Sequence, residues 1–151
     1  MLKVVYCRTG RIDIMKLRIR GNSLRLRLTK SEVAEIGAGG TVEETVEFGG
    51  EPPQRFIYAL MSTDNVENPT AVFDAGRITV FISKAQAGEW SRTNQIGIEA
   101  EKSIGADGRT LRILIEKDFS CLEPRAGEED VDTFAHPFQN EQEARIRLKA
   151  F

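Results

Sequence analysis

The fold is decided by residues 16–32, which read KLRIRGNSLRLRLTKSE. Apolar and basic side chains alternate on both sides of Gly21-Asn22, as in two strands joined by a tight turn. With that turn, Leu17 faces Leu26 and Ile19 faces Leu24, so one face of the hairpin is apolar and the other is basic. The next four residues, TKSE, match the capping box that opens a helix.

The same pattern returns 54 residues later, the distance that separates Lys30 from Lys84. The turn Gly21-Asn22 aligns with Ala75-Gly76, and a second capping box, S-x-x-Q, begins at Ser83. The aligned apolar positions are Leu24 with Ile78, Leu26 with Val80, Leu28 with Ile82, Ile36 with Trp90 and Val42 with Ile96. Each unit reads β-β-α-β-β, and self-similarity at one offset indicates an internal duplication.

We therefore predict an α+β protein in three parts. Residues 1–15 form an N-terminal extension, residues 16–118 hold repeats at 16–62 and 70–118, and residues 119–151 form an acidic, largely irregular tail. Residues 1–14 are either a short extra strand or an over-extended gene start before Met15. Each repeat alone is too short and too rich in strand edges to close a core. We expect the two repeats to share one interior in a monomer.

Composition is that of a soluble globular protein, with 40% hydrophobic and 29% charged residues. No apolar run reaches the roughly 18 residues needed to span a bilayer, and the first residues have no signal-peptide pattern. Two cysteines do not make a disulfide framework, so we expect a cytoplasmic protein. Residues 1–31 hold nine of the 21 basic side chains but one of the 23 acidic ones. This asymmetry indicates either a polyanion partner or neutralisation by the acidic remainder on folding.

The repeated unit, with GNSLRLRLTK at its first turn, resembles the MazE and AbrB group of swapped-hairpin DNA-binding proteins. Gly21-Asn22-Ser23 and Gly76-Arg77-Ile78 match the two forms of the group's turn, whereas Thr29 and Ser83 stand where the group has proline. Members of the group exchange hairpins between two chains to form one barrel. The resemblance therefore implies a pseudo-twofold swapped-hairpin β-barrel made by one chain. The chain as a whole also resembles an uncharacterised bacterial family.

In that group, residues around the first turn contact DNA. The resemblance and the basic face together give seven candidate residues for binding double-stranded DNA: Arg18, Arg20, Gly21, Asn22, Ser23, Arg25 and Arg27. A two-stranded ribbon fits the major groove, and arginine can make paired hydrogen bonds to guanine. We therefore predict a non-enzymatic DNA-binding regulator or antitoxin-like protein.

Two observations weigh against DNA binding. The acids Glu43, Glu44 and Glu47 could neutralise the arginines within the chain. The second hairpin carries Val72 and Asp74 where the first carries Arg18 and Arg20, so the chain has one basic hairpin where a palindrome needs two equivalent readers.

The alternative function is a protein-interaction module that has lost DNA binding. MazE-like antitoxins hold their toxin through acidic C-terminal segments. The matching tail residues here, which would bind a toxin or another protein partner, are Glu128, Glu129, Asp130 and Asp132.

Other candidate sites are weaker, and we expect no cofactor, no metal and no catalysis. The glycines at Gly37, Gly39 and Gly40 follow a helix and do not precede one, which indicates a helix end and not a phosphate loop. Cys121 and His136 have no recognised ligand spacing. Glu99, Glu101 and Glu116 could be drawn as a cation site on the strands, but a solvated face is the simpler interpretation.

Overall fold

The computed structural model describes residues 14–119 and 132–135. Within them lie eight strands and two helices in chain order. The strands are β1 (Lys16–Ile19), β2 (Ser23–Leu28), β3 (Thr41–Gly49), β4 (Gln54–Thr63), β5 (Thr70–Asp74), β6 (Arg77–Ser83), β7 (Gly97–Ser103) and β8 (Thr110–Lys117), and the helices are α1 (Lys30–Gly37) and α2 (Lys84–Arg92). The predicted α+β class and the β-β-α-β-β order of each repeat are confirmed.

The first hairpin has the register that the sequence predicts. β1 and β2 are antiparallel, and Leu17 lies opposite Leu26 while Arg18 lies opposite Arg25. Gly21 supports the turn with a φ of 55°, a backbone conformation that glycine adopts without a steric penalty. The alternation of β2 places its three leucines in the interior and its arginines on the outer face.

Both predicted capping boxes are formed. The backbone N–H of Thr29 donates to Glu32 Oε2 at 2.9 Å, and the backbone N–H of Gln86 donates to Ser83 Oγ at 3.1 Å. These bonds satisfy backbone groups that a helix start otherwise leaves unpaired. Each short helix therefore begins at a fixed residue and turns its apolar side chains, Ile36 and Trp90 among them, into the core.

Both sheets combine strands from the two repeats. The first sheet has the order β1-β2-β8-β7, and the second has the order β3-β4-β6-β5. Each sheet thus contains one hairpin from each repeat. The hairpins are antiparallel, but they join through parallel central pairs, β2 with β8 and β4 with β6. The helices make the crossings between sheets, because α1 joins β2 to β3 and α2 joins β6 to β7.

One hydrophobic core is shared by both sheets and both helices. Four pairs of its buried members come from equivalent positions of the two repeats: Leu24 and Ile78, Leu26 and Val80, Leu28 and Ile82, and Ile36 and Trp90. Each repeat therefore supplies half of an interior that it does not enclose by itself, as the sequence predicts.

A single closed barrel is not formed by the described residues. The two sheets remain separate hydrogen-bonded ladders, because the edge strands of one, β1 and β7, do not pair with the edge strands of the other, β3 and β5. Hydrogen bonds from side chains connect the sheets instead. Tyr58 donates its hydroxyl to the Met15 carbonyl at 2.9 Å, and Lys102 Nζ donates to the Ala71 carbonyl at 3.5 Å.

The predicted alignment of Val42 with Ile96 is wrong. Val42 pairs with Leu60 and Ile98 pairs with Ile115, so Ile98 is the structural equivalent of Val42. Both are about 5% exposed, whereas Ile96 is 51% exposed. The helix α2 and the connection after it are each one residue longer than α1 and its connection, and together they move the register of the second repeat by two residues.

The helices cross at equivalent positions of the two repeats. A Cβ atom added to Gly37 would lie 2.2 Å from Ser91 Oγ and 2.4 Å from Ser91 Cβ. Ser91 follows Gly37 by the same 54 residues that separate Lys84 from Lys30. Contact between equivalent residues is what a twofold axis produces in a symmetric dimer. Here the two equivalent residues belong to one chain.

Neither helix of residues 14–119 has the length or the apolar character needed to cross a membrane.

Replacing Gly37 by alanine tests this crossing. Helix propensity alone favours alanine over glycine by up to about 1 kcal/mol. We nevertheless expect Gly37→Ala to lower the free energy of unfolding, by about 1–3 kcal/mol, because the new methyl group overlaps Ser91. Gly88→Ala is the matched control, since its nearest neighbour is the flexible end of Arg92, 3.0 Å away. Urea unfolding should show Gly88→Ala unchanged or stabilised, and an equal gain for Gly37→Ala would contradict the crossing.

The core shared by the two repeats also predicts the oligomeric state. Docking of the two repeats is intramolecular, so no second chain is required for a complete core. Light scattering should give the mass of one chain at every concentration. A stable mass of two chains across a dilution series would show that this prediction is wrong.

Candidate nucleic-acid interface

The outer face of the first sheet brings the predicted DNA-binding arginines together with residues of the second repeat. Strand pairing arranges its outward side chains in three rows that run from β1 through β2 and β8 to β7. The rows are Arg20–Ser23–Arg112–Glu101, Arg18–Arg25–Leu114–Glu99 and Lys16–Arg27–Glu116–Gly97. The β1–β2 side of this face is basic, and the β7 side is acidic.

Two of the predicted arginines are neutralised within the chain. Arg25 donates to Glu116 Oε2 from Nε at 2.7 Å and from Nη2 at 2.6 Å. Arg27 Nε lies 3.4 Å from the same oxygen. The Glu116 side chain is 18% exposed, so this carboxylate is partly shielded from solvent and held between two guanidinium groups.

The sequence suggested neutralisation but not the acid that provides it. Glu43 pairs with Arg77 at 2.6 Å and Glu47 pairs with Arg55 at 3.5 Å, both on the second sheet. Glu116 neutralises Arg25 and Arg27 instead, because β8 lies beside β2. These strands are about 90 residues apart in the chain, and no local pattern predicts that they pair. Glu99 likewise pairs with Arg112, whose Nε donates to Oε1 at 2.6 Å. The sequence favoured a solvated face for Glu99 and Glu116; the structure instead pairs both carboxylates with arginines, and Glu116 is largely shielded from solvent.

Arg18 and Arg20 make no ion pair with any described residue. Arg18 lies opposite Arg25, so two like charges face each other across the hairpin. An open groove of about 180 Å³ lies beside them; it is lined by Arg18, Arg20, Ser23, Leu24, Arg25, Arg112 and Leu114. The groove has four guanidinium groups and no carboxylate in its lining, and it is therefore suited to an anion.

The turn residues among the candidates support the hairpin. Asn22 Nδ2 donates to the Thr110 carbonyl at 2.6 Å, and the Asn22 carbonyl accepts from the Arg112 N–H at 3.1 Å. Ser23 Oγ donates to the Arg20 carbonyl at 2.5 Å. These bonds fix the tip of the first hairpin against β8. Asn22 and Ser23 thus have a structural role at the turn, and their predicted contact with DNA stays a prediction.

The second sheet has no equivalent basic face. Val72 and Asp74 occupy the positions of Arg18 and Arg20, and Asp74 lies opposite Arg77 across the turn. Arg77 extends over the sheet, where its Nε donates to Thr79 Oγ1 at 3.1 Å and its Nη2 pairs with Glu43. This face is close to neutral, and the asymmetry noted in the sequence is also an asymmetry of the surface.

Of the acidic tail residues, Asp132 is described, and it contacts α1. Its carbonyl accepts from the Lys30 N–H at 3.0 Å, and its Oδ1 accepts from the Ser31 N–H at 3.1 Å. Ser31 Oγ donates to Oδ2. These hydrogen bonds from Ser31 hold the pKa of Asp132 below its ordinary value. A carboxylate at a helix start is favoured because the exposed N–H groups carry partial positive charge.

Residues 132–135 also pack on the end of β8. The Phe134 N–H donates to the Asp118 carbonyl at 2.8 Å, and the Phe134 ring lies 5.8 Å from the Phe119 ring. Lys117 Nζ lies 5.2 Å from the centre of the Phe134 ring and donates to the Thr93 carbonyl at 2.7 Å. Burial lowers the pKa of Lys117. Glu128, Glu129, Asp130, Cys121 and His136 lie outside the described residues, so the predicted partner contact through the acidic run stays a prediction.

Residues 14–119 and 132–135 contain no group of three or more His, Cys, Asp or Glu side chains arranged to hold a metal ion.

Comparison with protein families gives one match. Residues 15–138 match a family of unknown function, DUF7009. The chain belongs to this family. The matched region includes both repeats and the segment that docks on α1. Neither a curated protein nor a solved structure matches the sequence.

Replacing Asp132 by asparagine tests the contact with α1. Because the folded pKa is lowered, the ionised carboxylate stabilises the fold above the unfolded pKa of about 3.9 and loses this effect as the pH falls through the folded value. We expect Asp132→Asn to unfold at lower urea than the wild type at pH 7, with the gap narrowing below about pH 4. Asp64→Asn, which removes an exposed ion pair with Lys84, should change little at either pH. An equal gap at both pH values for Asp132→Asn would contradict the assigned role.

Proposed function

We propose that the protein is a non-enzymatic regulator or antitoxin-like protein that binds double-stranded DNA through the hairpin β1–β2. The observation that carries the proposal is the pair Arg18 and Arg20, which have no acidic partner among the described residues, whereas Arg25, Arg27 and Arg112 on the same face are ion-paired. Unpaired guanidinium groups on a two-stranded ribbon are suited to guanine edges and to phosphate in the major groove.

The orientation of the arginines supports this function. Arg18 and Arg25 stand opposite each other on the outer face, while the leucines of β2 point into the core. The basic side chains therefore come from a backbone that the core and the Asn22–Thr110 hydrogen bond hold in place. A rigid support reduces the entropy lost when long side chains are ordered on a ligand.

We also propose that the fold is a single-chain counterpart of the swapped-hairpin proteins that the sequence resembles. The exchange of hairpins between the two sheets supports the kinship, as does the crossing of helices at equivalent positions. In this proposal the cytoplasm is the place of action. The one basic hairpin implies an asymmetric site on DNA, read by a single ribbon, and not a palindrome.

A salt-titrated binding assay with duplex DNA tests the proposal. If Arg18 and Arg20 each contact one phosphate, the logarithm of the binding constant should fall with the logarithm of the salt concentration at a slope of about −1.8. The double variant Arg18→Ala/Arg20→Ala should lose this salt-dependent binding.

The matched control is Arg55→Ala/Lys84→Ala, which removes the same charge from exposed positions outside the first sheet. It should bind nearly as the wild type does. Absence of salt-dependent binding by the wild type to any duplex, or equal losses in the two double variants, would refute DNA binding through this hairpin.

A further inference from the structure

We infer that the groove beside Arg18 and Arg20 is a phosphate-binding subsite built by both repeats, in which Arg112 is a ligand residue and Glu116 and Glu99 compete with phosphate for the arginines. This inference rests on the proposed function for the macromolecule to which the phosphate belongs. It adds Arg112 of the second repeat to the binding residues of the hairpin β1–β2. It also assigns Glu116 and Glu99 the role of competitors for the arginines.

The groove belongs to both halves of the chain. Arg18, Arg20 and Arg25 come from the first repeat, and Arg112 comes from β8 of the second. Parallel pairing sets Arg112 beside Ser23 and Leu114 beside Arg25, so the second repeat supplies both a cation and an apolar floor. A hairpin of one repeat, taken alone, would carry an incomplete groove.

The ion pairs at its margin show that these guanidinium groups already bind oxyanions. Arg25 Nε and Nη2 lie 2.7 and 2.6 Å from one Glu116 oxygen. Arg112 Nε donates to Glu99 Oε1 at 2.6 Å. Carboxylate and phosphate oxygens are bound by the same planar fork of donors. Glu116 and Glu99 thus occupy the donors that a phosphate in the groove would use.

The charges on this face do not balance. Apart from Lys16, which pairs with Asp118, the face carries the guanidinium groups of five arginines and the carboxylates of three glutamates: Arg18, Arg20, Arg25, Arg27 and Arg112, and Glu99, Glu101 and Glu116. The excess lies at Arg18 and Arg20, next to the groove. A phosphate bound there can contact Arg18 and Arg20 directly. It can contact Arg25 or Arg112 only if it displaces the carboxylate that each of them binds. The two glutamates therefore lower the affinity of the face for polyanions.

Isosteric removal of one competitor tests the inference. Glu116→Gln keeps the shape of the side chain but frees Arg25 and Arg27. We expect duplex DNA to bind about three- to tenfold more tightly, and the salt dependence to rise from about two released counterions to about four. Arg112→Gln should weaken binding by about three- to tenfold.

The matched control is Glu43→Gln. Glu43 occupies the position on β3 that Glu99 occupies on β7, and it pairs with Arg77 on the other sheet. Glu43→Gln changes the net charge by the same amount as Glu116→Gln but frees no arginine of the first sheet. Its affinity for duplex DNA should therefore differ little from that of the wild type. Because the Glu116 carboxylate is partly buried, Glu99→Gln provides a second variant in which the removed side chain is 50% exposed. It should tighten binding through Arg112, and thermal melts followed by circular dichroism verify that each variant is folded.

Two probes, a short duplex DNA and inorganic tripolyphosphate, separate this inference from the proposed function. If the wild type binds the duplex but folded Glu116→Gln and Glu99→Gln bind no more tightly, or Arg112→Gln binds equally well, the inference is wrong and DNA binding stands. If the duplex is not bound but tripolyphosphate is, and binds more tightly to Glu116→Gln, the phosphate subsite stands without DNA. If neither probe binds to the wild type or to Glu116→Gln, both proposals are overturned.

Discussion

The parallel pairing of β2 with β8, and of β4 with β6, is the interaction on which the rest of the structure depends. A two-stranded hairpin is marginally stable in water by itself, and each repeat contributes only separate hairpins to the two sheets. The parallel ladders join hairpins of different repeats into four-stranded sheets and bring their apolar faces over one core. The same ladders place Arg112 and Glu116 beside the arginines of the first hairpin. Fold and candidate site therefore have one cause.

Equivalent residues of the two repeats are similar in the shared interior, where packing constrains them, and differ on the outer faces, which solvent covers. Leu26 and Val80 occupy equivalent buried positions, because a polar side chain at either would be costly without a hydrogen-bond partner. On the outer faces, Arg18 corresponds to Val72, and both side chains are exposed. Water solvates either side chain, so duplication left these faces free to diverge. One sheet became basic, and the other remained close to neutral.

Local features of the structure could be predicted from the sequence. The register that pairs Arg18 with Arg25 follows from alternation around a short turn. The capping boxes at Thr29 and Ser83 follow from residues three positions apart. In each case the interacting residues are close in the chain, so the pattern of residue types determines which atoms meet.

Features that depend on distant contacts could not be predicted. Nothing local identifies β8 as the neighbour of β2, so the pairing of Glu116 with Arg25 and the place of Arg112 in the groove emerged only with the strand order. The equivalence of Val42 and Ile98 could not be seen in the sequence, because α2 and the connection after it are each one residue longer than in the first repeat. Asp132 and Ser31 are 101 residues apart in the chain, and no sequence pattern indicates that they are in contact.

Solution NMR measures the central pairing most directly. In isotopically labelled protein, the account predicts backbone nuclear Overhauser effects between Leu26 and the residues around Ile115, and between Leu60 and those around Val80, in the pattern of parallel strands. Contacts that instead connect β2 with β3 or β4 of its own repeat would contradict it. In that case the repeats would fold as separate units, and neither the shared core nor the composite basic face would exist.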